Sequence, residues 1–420
     1  MKYTATIDKY VARLLMVCFF LPTGVQSVIM FTFAFYFFFR SLNEGYRATR
    51  RDLLMAAVLG GGYLLYLINY PFADAAGKAE IATMLEHRAT LLLMPFTFAF
   101  ISPKLRLQIK EQLRFFVYGT LIACLVANVC YVIHYIQSGQ QTLSHVDYRI
   151  YFEDITDLHP TYISMYLCFS VCILLLTYRV TGQYARAMKY IFLMACFVFL
   201  LPLLAKAPII ALGLILIHYF FTHRKALKKQ IIIALVALCI IIPLCFVIPF
   251  TAQRIQEVTQ FAHHSKTGNA ENNSLYARQM IWDADMSLLR DNWVCGVGPG
   301  RLQPMLNEKF AVYSKEHNIP VAEYGCHNEY ITQWLSFGLI GIVVFVCVLG
   351  VQFVRAYRRH NLLYSYLLVI VSVTFFTETL LSREHGVTFY AIFTGLLFFI
   401  HGLEDLTTKG TEGTQSVAVI

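Results

Sequence analysis

The residues with the clearest chemical potential lie in one hydrophilic segment of an otherwise apolar chain, residues 251–329. This segment contains Arg278, a glycine-rich turn at Gly296-Val-Gly-Pro-Gly300, and the pair His327-Asn328. A guanidinium matches phosphate geometry with two parallel hydrogen bonds. Exposed N–H groups of a glycine turn can bind an anion, and an imidazole can accept a proton near neutral pH. The segment is therefore predicted to be the active-site loop of an enzyme working at a membrane face.

Each of these features also has a structural interpretation, which the residues alone leave open. An arginine on a helix surface can cover apolar neighbours with its stem. Glycine runs often form plain turns, and this one lacks the strand–turn–helix unit of a dinucleotide site. A lone histidine such as His327 is more often structural than catalytic.

Two helices are predicted inside the segment. Asn273 or Ser274 can cap a helix that runs to about Arg290. Its apolar residues recur near helical spacing, which suggests a face that could lie on the membrane surface. Pro304 suits the first turn of a second helix that runs to about His317.

The composition indicates an all-α, polytopic membrane bundle. The hydrophobic fraction is 58%, the charged fraction is 14%, and the mean hydropathy is +0.58, whereas soluble domains have about 25% charged residues. The apolar runs are continuous rather than alternating, which predicts about twelve spanning helices. Their expected centres are Val17, Thr32, Tyr63, Leu93, Cys124, Ser170, Cys196, Leu214, Leu238, Val344, Ile370 and Phe393.

Four regions follow from this pattern. Residues 1–250 are predicted to form an N-terminal bundle of about nine helices, and residues 251–329 the catalytic loop. Residues 330–402 would form the C-terminal helices, and residues 403–420 a cytoplasmic tail. The first two spans are separated only around Pro22, and the apolar run from Tyr190 to Phe221 is broken near Pro202 and Pro208, which predicts two helices there. The first span is expected to stay uncleaved rather than serve as a signal peptide.

The charge pattern predicts the orientation of the chain in the membrane. Lys and Arg residues crowd every second loop, as the positive-inside rule requires when both termini are cytoplasmic. Residues 251–329 then lie on the outer side. The formal charge of +9 is interpreted mainly as this topology signal rather than a nucleic-acid footprint, because the charges are split among short loops.

Three more ionisable residues point to the same outer face. Lys206 interrupts an apolar corner, Glu378 is predicted to lie inside a span, and Arg383 to cap that span. Ionisable groups at membrane depth are costly and often functional, although Lys206 and Glu378 could simply pair with each other. The acidic and aromatic stretch Asp147–His159 suits contact with a sugar or lipid headgroup, but also suits any hydrated loop.

The cysteines divide into two groups. Nine lie in apolar spans and are expected to be small core residues. Cys295 and Cys326 lie in the outer loop beside the two motifs, so a disulfide between them is a candidate, with two free buried thiols as the alternative. The sequence has no CxxC and no cluster of spaced His and Cys, so no metal site is expected.

Several motifs together resemble the O-antigen ligase and polymerase superfamily. The stretch from Thr377 to Tyr390 is similar to the version of that family found in Bacteroidetes-type bacteria. The resemblance covers roughly residues 276–389, and the earlier spans match only in hydropathy. The residues that carry it are Arg278-x-x-x-Trp282, Asp291 with Gly296-Val-Gly298-Pro-Gly300, His327-Asn328-x-Tyr330, and Phe337-Gly338-Leu-Ile-Gly341.

The resemblance implies a helical glycosyltransferase of the C type in the bacterial inner membrane, with its active site facing the periplasm. Such enzymes move a glycan from a polyprenyl (undecaprenyl) diphosphate to an acceptor hydroxyl, usually with inversion and without a metal or cofactor. The implied partners are the lipid-linked donor, an acceptor such as the lipid A core, and the bilayer, with no nucleic acid. Polymerases and protein O-oligosaccharyltransferases of the same superfamily remain alternatives.

The resemblance also implies residue roles. Arg278 matches the loop arginine that grips the diphosphate, and His327 matches the histidine proposed to activate the acceptor. Lys206 stands in Ala-Lys-Ala where the family commonly shows Ser-Arg-Gly, so it would replace a second arginine as a point charge. Predicted substrate-binding residues are Asn328, Tyr330, Trp282, Gly298, Gly300, Glu378 and Arg383.

A transporter or lipid flippase is the competing class of protein, because a similar number of spans is common there. Such proteins usually show repeat symmetry and broken helices that aim at a site near the bilayer midplane. Here the polar groups gather at one face of the membrane, which favours an enzyme.

Overall fold

The computed structural model describes residues 2–139, 145–177, 182–203, 205–223, 274–317 and 324–400. Within these ranges every regular element is helical, which confirms the all-α prediction. The α-helices are α1 (Lys2–Val17), α2 (Thr23–Asn43), α3 (Arg50–Leu59), α4 (Gly61–Asn69), α5 (Ala75–Arg88), α6 (Thr90–Phe100), α7 (Pro103–Lys110), α8 (Leu113–Ser138), α9 (His145–Thr156), α10 (Pro160–Leu176), α11 (Gln183–Leu203), α12 (Lys206–His223), α13 (Ser274–Asn292), α14 (Leu302–His317), α15 (Glu329–Arg358), α16 (Leu362–Thr374) and α17 (Glu384–Phe399).

The protein is a membrane protein by the length and composition of its helices. Among the described residues, four helical runs are long and apolar enough to cross a bilayer: Thr23–Asn43, Pro103–Ser138, Gln183–Leu203 and Glu329–Arg358. Two bent pairs, α3 with α4 and α9 with α10, raise the number to six if each pair is one span. The count of twelve spans and the four region boundaries stay predictions. The span expected near Leu238 and the tail from residue 403 lie outside the described residues.

Proline separates helices where the sequence predicts it. Pro22 occupies the N-cap position of α2, so α1 and α2 are distinct helices. The apolar run after Tyr190 is divided into two helices as predicted, with Pro202 inside the last turn of α11 and Pro208 inside the first turn of α12. A proline has no N–H to donate and restricts the residue before it, which disfavours a continuous helix at these points.

The centre of the bundle is formed by α10 and α17, whose side chains are buried along most of both helices. Aromatic rings fill the space between them and their neighbours: Phe19 stacks on Phe393 with ring centroids 5.3 Å apart, and Tyr166 stacks on Phe389 at 4.9 Å. Helix α17 also packs closely on α6. The start of α17, directly after Arg383, is therefore held by a rigid scaffold.

A second, smaller core lies under the hydrophilic segment. It joins α13, α14, residue Cys326 and the first turns of α15. The bounds of α13 and α14 confirm the two helices that were predicted from their capping residues. However, Ile281 and Leu288 on the apolar face of α13 are buried in this core rather than on a membrane surface.

The glycine-rich turn docks backbone to backbone on α15. Val297 N–H donates to Leu335 O at 2.7 Å, and Leu339 N–H donates to Val294 O at 3.0 Å. Gly338 has φ 66° and ψ −154°, which kinks α15 at the docking point. A Cβ on Gly296 would lie 2.5 Å from the Gly338 nitrogen, so glycine is needed here for close approach.

The other end of this turn rests on the start of α5. A Cβ on Gly300 would lie 2.5 Å from Gly77 Cα, and Arg301 forms a salt bridge with Asp74 at 2.8 Å. The turn thus connects α5 with α15, and its glycines serve tertiary packing at both ends.

Candidate active site

The centre of the candidate site is a hydrogen-bonded pair of His327 and Glu378. His327 Nδ1 lies 3.3 Å from Glu378 Oε2. His327 lies between α14 and α15 with a left-handed φ of 45°. Glu378 lies in the connection between α16 and α17, so the prediction that it lies inside a span is wrong. Arg383 ends that connection as the N-cap residue of α17 rather than capping the preceding span.

Glu329 fixes the two segments that carry this pair. Its side chain is fully buried, and Oε2 accepts a hydrogen bond from Leu381 N–H at 2.9 Å. Its own N–H donates to Phe375 O at 2.8 Å. Residue 329 therefore holds both ends of the connection that contains Glu378, and so sets the position of Glu378 relative to His327.

The surroundings of Glu378 favour its ionised form. Its side chain is only 13% exposed, and this burial by itself raises its pKa. The hydrogen bond of His327 and the electrostatic interactions with His327, His159 and Arg278 outweigh burial and lower the pKa of Glu378 below its ordinary value. An ionised carboxylate only accepts hydrogen bonds, so Nδ1 is the donor in this contact, and the tautomer that donates from Nδ1 has an unprotonated Nε2.

Three predicted cationic residues take different positions around this pair. Arg278 is exposed on the first part of α13 and interacts electrostatically with Glu378. Arg383 forms a salt bridge with Glu153 at 3.6 Å. Both side chains are largely exposed, so this salt bridge contributes little stability and either residue can pair with another charged group instead. Lys206 is the first residue of α12 and is exposed. The ion-pair partner of Glu378 in the described ranges is His327, not Lys206, and a role of Lys206 in the site stays a prediction.

His159 is a neighbour that the motif search did not single out. It occupies the N-cap position of α10, where its Nδ1 accepts the Thr161 N–H at 3.3 Å. The Thr161 hydroxyl in turn lies 3.5 Å from Glu378 Oε1. The sequence did indicate that a helix begins after His159, because a proline is favoured at the first position of a helix. What the sequence could not supply was that this helix start faces Glu378.

Arg88 is a second residue that the sequence interpretation missed. It ends α5, is 3% exposed, and donates from one terminal nitrogen to Ser382 Oγ at 2.9 Å. Its guanidinium lies over the Tyr66 ring, 4.2 Å from the centroid. Its other terminal nitrogen has no hydrogen-bond partner among the described residues. Arg88 therefore places a buried cation behind the connection that carries Glu378.

Several predicted substrate-binding residues make structural contacts instead. Asn328 is buried and caps α15 by accepting the Ile331 N–H at 3.1 Å. The Tyr330 hydroxyl donates to Ser372 O at 3.1 Å. Trp282 is exposed on α13, and a Cβ on Gly298 would meet no atom within 4 Å. Contact of these residues and of Gly300 with a substrate stays a prediction.

The two outer-loop cysteines are free thiols, so the structure gives the candidate disulfide no support. Cys295 is exposed and Cys326 is buried. Cys326 faces Asp285, whose side chain is fully buried. Burial raises the pKa of Asp285 to about 8, against a smaller opposing effect from Cys326, so Asp285 is mainly a neutral acid at pH 7. Over the described ranges, no three His, Cys, Asp or Glu side chains gather in a way that could hold a metal ion.

Comparison with known families identifies the segment that contains Arg278, the glycine-rich turn and His327. Residues 169–346, from within α10 to the middle of α15, match the family described as O-antigen ligase. This segment is similar to the O-antigen ligase family. This confirms the superfamily predicted from the motifs. No curated protein matches the chain significantly.

The O-antigen ligase domain supplies only part of the candidate site. Arg278 and His327 lie inside residues 169–346, and so does Lys206. Glu378, together with His159, lies outside the matched residues and reaches His327 from the α16–α17 connection and the α9–α10 break. The site is thus completed by helices on either side of the family segment.

Proposed function

We propose that this protein is a glycosyltransferase that moves a glycan from a polyprenyl diphosphate to an acceptor hydroxyl at the outer face of the inner membrane. The observation that carries the proposal is the pair of His327 and Glu378, with Arg278 and His159 interacting with the same carboxylate. The O-antigen ligase domain that contains His327 and Arg278 supports this reaction class.

In the proposed reaction, the acceptor oxygen attacks the anomeric carbon of the donor sugar from the side opposite the diphosphate. The hydroxyl proton passes to His327 Nε2 while the new carbon–oxygen bond forms. The bond between the anomeric carbon and the diphosphate oxygen breaks, and its electron pair leaves with the diphosphate. Glu378 keeps the Nδ1 proton in place and stabilises the imidazolium that results. The anomeric configuration is inverted.

Cationic side chains would stabilise the departing diphosphate. Arg278 is proposed as one of these cations, because it is exposed and interacts electrostatically with Glu378, and Lys206 is proposed as the second. A diphosphate is already a good leaving group, so charge stabilisation can replace a strong acid or a metal ion. Holding two membrane-bound substrates in a fixed orientation would supply the rest of the rate enhancement.

The proposed donor is undecaprenyl diphosphate bearing a glycan, and the proposed acceptor is a sugar of the lipid A core. A polymerase would instead use another lipid-linked repeat as acceptor, and a protein O-oligosaccharyltransferase would use Ser or Tyr. The acceptor therefore distinguishes the three enzymes, which share the chemistry at His327.

The test is transfer by the purified protein in lipid nanodiscs, from a labelled polyprenyl diphosphate glycan to each of the three acceptors, with EDTA present. We expect transfer to the lipid A core and an inverted anomeric linkage by NMR. Movement of the donor across liposomes without transfer to any acceptor would identify a flippase instead. Activity that EDTA abolishes and magnesium restores would contradict the metal-independent mechanism.

Two substitutions test the proposed role of Lys206. Lys206→Ala should lower transfer and weaken donor binding, because a cation facing the leaving group is lost. Lys206→Arg should retain activity, because it keeps the charge. Equal activity of all three proteins would remove Lys206 from the mechanism.

The proposed topology has its own test. Val312 is 56% exposed on α14, so Val312→Cys should react with a membrane-impermeant maleimide in intact spheroplasts. The wild-type chain, with its exposed Cys295 and Cys347, gives the background to subtract. Additional labelling that appears only after lysis would place α14 in the cytoplasm.

A further inference from the structure

The turn that follows α13 exposes two large apolar side chains next to α15. Trp293 is 52% exposed and Val294 is 49% exposed. The turn is fixed to α15 by two hydrogen bonds, from the Trp334 indole N–H to Trp293 O at 2.8 Å and from Leu339 N–H to Val294 O at 3.0 Å. Because their main-chain oxygens are held on α15, these side chains keep a constant position along that helix.

The neighbouring surface of α15 is itself apolar and exposed. Leu339 is 43% exposed, Ile340 67%, Val343 50% and Val346 50%, and their spacing places them along one side of the helix. Helix α15 is long and apolar enough to span a membrane. An exposed apolar stripe on a spanning helix faces acyl chains, because water is absent at that depth. Val294 lies at one end of this stripe.

The length of α15 indicates the depth of the turn. Arg355 lies in its last turn, and a charged residue there marks a boundary of the hydrocarbon, on the side that the charge pattern predicts to be cytoplasmic. At ~1.5 Å per residue, Leu339 lies about 24 Å from Arg355 along the helix. The hydrocarbon core is ~30 Å thick, which leaves Leu339 and Val294 just inside its outer boundary. Tryptophan is enriched at this boundary because its ring is amphipathic.

We propose that Trp293 and Val294 insert into the outer leaflet of the bilayer and contact phospholipid acyl chains. Their surface continues the lipid-facing stripe of α15, and their depth matches the outer edge of the hydrocarbon. The contact anchors the junction between α13 and the glycine-rich turn to the membrane. The proposed lipid contact does not depend on whether the protein transfers a glycan.

Tryptophan fluorescence tests this contact directly, because the sequence has only 3 Trp residues. Trp282→Phe and the double variant Trp282→Phe/Trp293→Phe differ only in Trp293, and Trp334 remains in both to keep its hydrogen bond. Each protein is placed in nanodiscs of ordinary lipid and of lipid brominated near the glycerol end of the chain. Gel filtration verifies folding of both.

We expect brominated lipid to quench most of the fluorescence that Trp293 contributes, and aqueous iodide to quench little of it. Quenching by iodide without quenching by brominated lipid would show that Trp293 faces water. Resistance to both would show that a protein surface covers this face. Either result overturns the proposal.

A second measurement serves if the double variant does not fold. Nitroxide labels at Val294→Cys and Val312→Cys are compared in a background without the exposed Cys295 and Cys347. The label at position 294 should collide more with oxygen than with a water-soluble nickel complex, and the label at position 312 on α14 should do the opposite. The same preference at both positions would contradict insertion of the turn.

Discussion

Cys326 and His327 are adjacent in the chain but face opposite environments, and each lies beside a buried carboxyl group. His327 pairs with Glu378, with the guanidinium of Arg278 and the imidazole of His159 nearby. Cys326 faces Asp285 within the apolar core of α13 and α14. The segment 324–328 thus separates a site side, which contains Glu378, from a core side, which contains Asp285.

The two acids show that neighbouring charges, rather than burial alone, decide the state of a carboxyl group. Burial raises the pKa of both groups. The hydrogen bond of His327 and the electrostatic interactions with His327, His159 and Arg278 outweigh burial at Glu378 and lower its pKa, whereas at Asp285 a single thiol opposes burial and the pKa rises to about 8. Glu378 is therefore available to orient His327, and Asp285 acts as a neutral packing group.

The largest effect on the site side is expected from His327→Ala. Loss of a general base should lower turnover by roughly 10²- to 10⁴-fold. Donor binding should be spared, because Arg278 remains. The measurement is single-turnover transfer from the labelled lipid donor, with donor affinity determined separately.

Cys326→Ala, on the opposite side of the same segment, is the matched control. It should retain turnover within a few-fold, although it removes a buried thiol. If the two variants lose turnover equally, the segment acts as a structural unit and the assignment of His327 as the base is wrong.

A smaller effect is expected from Glu378→Gln. The amide keeps the shape but removes the charge that fixes the Nδ1 proton of His327. By analogy with carboxylates that orient metal-bound histidines, the loss should be about 10- to 100-fold. The rate should also change its dependence on pH, because the lowered pKa of Glu378 keeps the wild-type carboxylate ionised down into the acidic range.

The pH–rate profile of Glu378→Gln separates orientation from packing. An orienting role predicts that the acid limb of the profile shifts relative to wild type. A uniform decrease at every pH, with no shift, would indicate that Glu378 only supports the structure.

The glycine-rich turn on the core side offers a matched pair of substitutions. Gly296 and Gly298 both have positive φ, 71° and 89°, but a Cβ clashes only at Gly296. Gly296→Ala should lower the free energy of unfolding by about 1–3 kcal/mol from overpacking, in addition to the left-handed cost of about 1–2 kcal/mol that Gly298→Ala shares.

Thermal unfolding in detergent measures this difference, and the transfer assay adds a second comparison. If a substrate anion approaches the open side of Gly298, then Gly298→Ala should lower activity more than its stability loss explains. Unchanged activity in Gly298→Ala would limit the turn to a packing role.

The effect expected from Asp285→Asn is on the pH dependence of stability rather than on turnover. The raised pKa means that the folded state retains a proton that the unfolded state releases, between the ordinary value of 3.8 and about 8. This group therefore lowers stability as pH rises through that window. Asparagine does not titrate, so the variant should lose this decrease and be relatively more stable at pH 8.

The matched control is Asp283→Asn, since Asp283 is exposed on the same helix. Between pH 5 and pH 8.5, the melting temperature of Asp285→Asn should depend less on pH than that of the wild-type protein. The melting temperature of Asp283→Asn should keep the wild-type dependence. Parallel curves for wild type and Asp285→Asn would show that Asp285 is already ionised within its core.

The sequence alone was sufficient for the class, several helix boundaries and part of the site. Hydropathy gave the all-α membrane class, because a span must satisfy its own backbone hydrogen bonds. Capping residues and prolines gave the approximate bounds of α13 and α14 and the division between α11 and α12, because these signals act over a few residues. The types and spacing of Arg278 and His327 pointed to the O-antigen ligase family.

The tertiary structure decided which of these residues meet. Glu378 contacts His327, and His159 lies near both, only because the break between α9 and α10 and the connection between α16 and α17 converge on the segment 324–328. The same packing turned Ile281 and Leu288 inward and placed Gly296 against Gly338. Contacts between residues far apart in the chain depend on how helices pack as a whole, and no local pattern of residues encodes them.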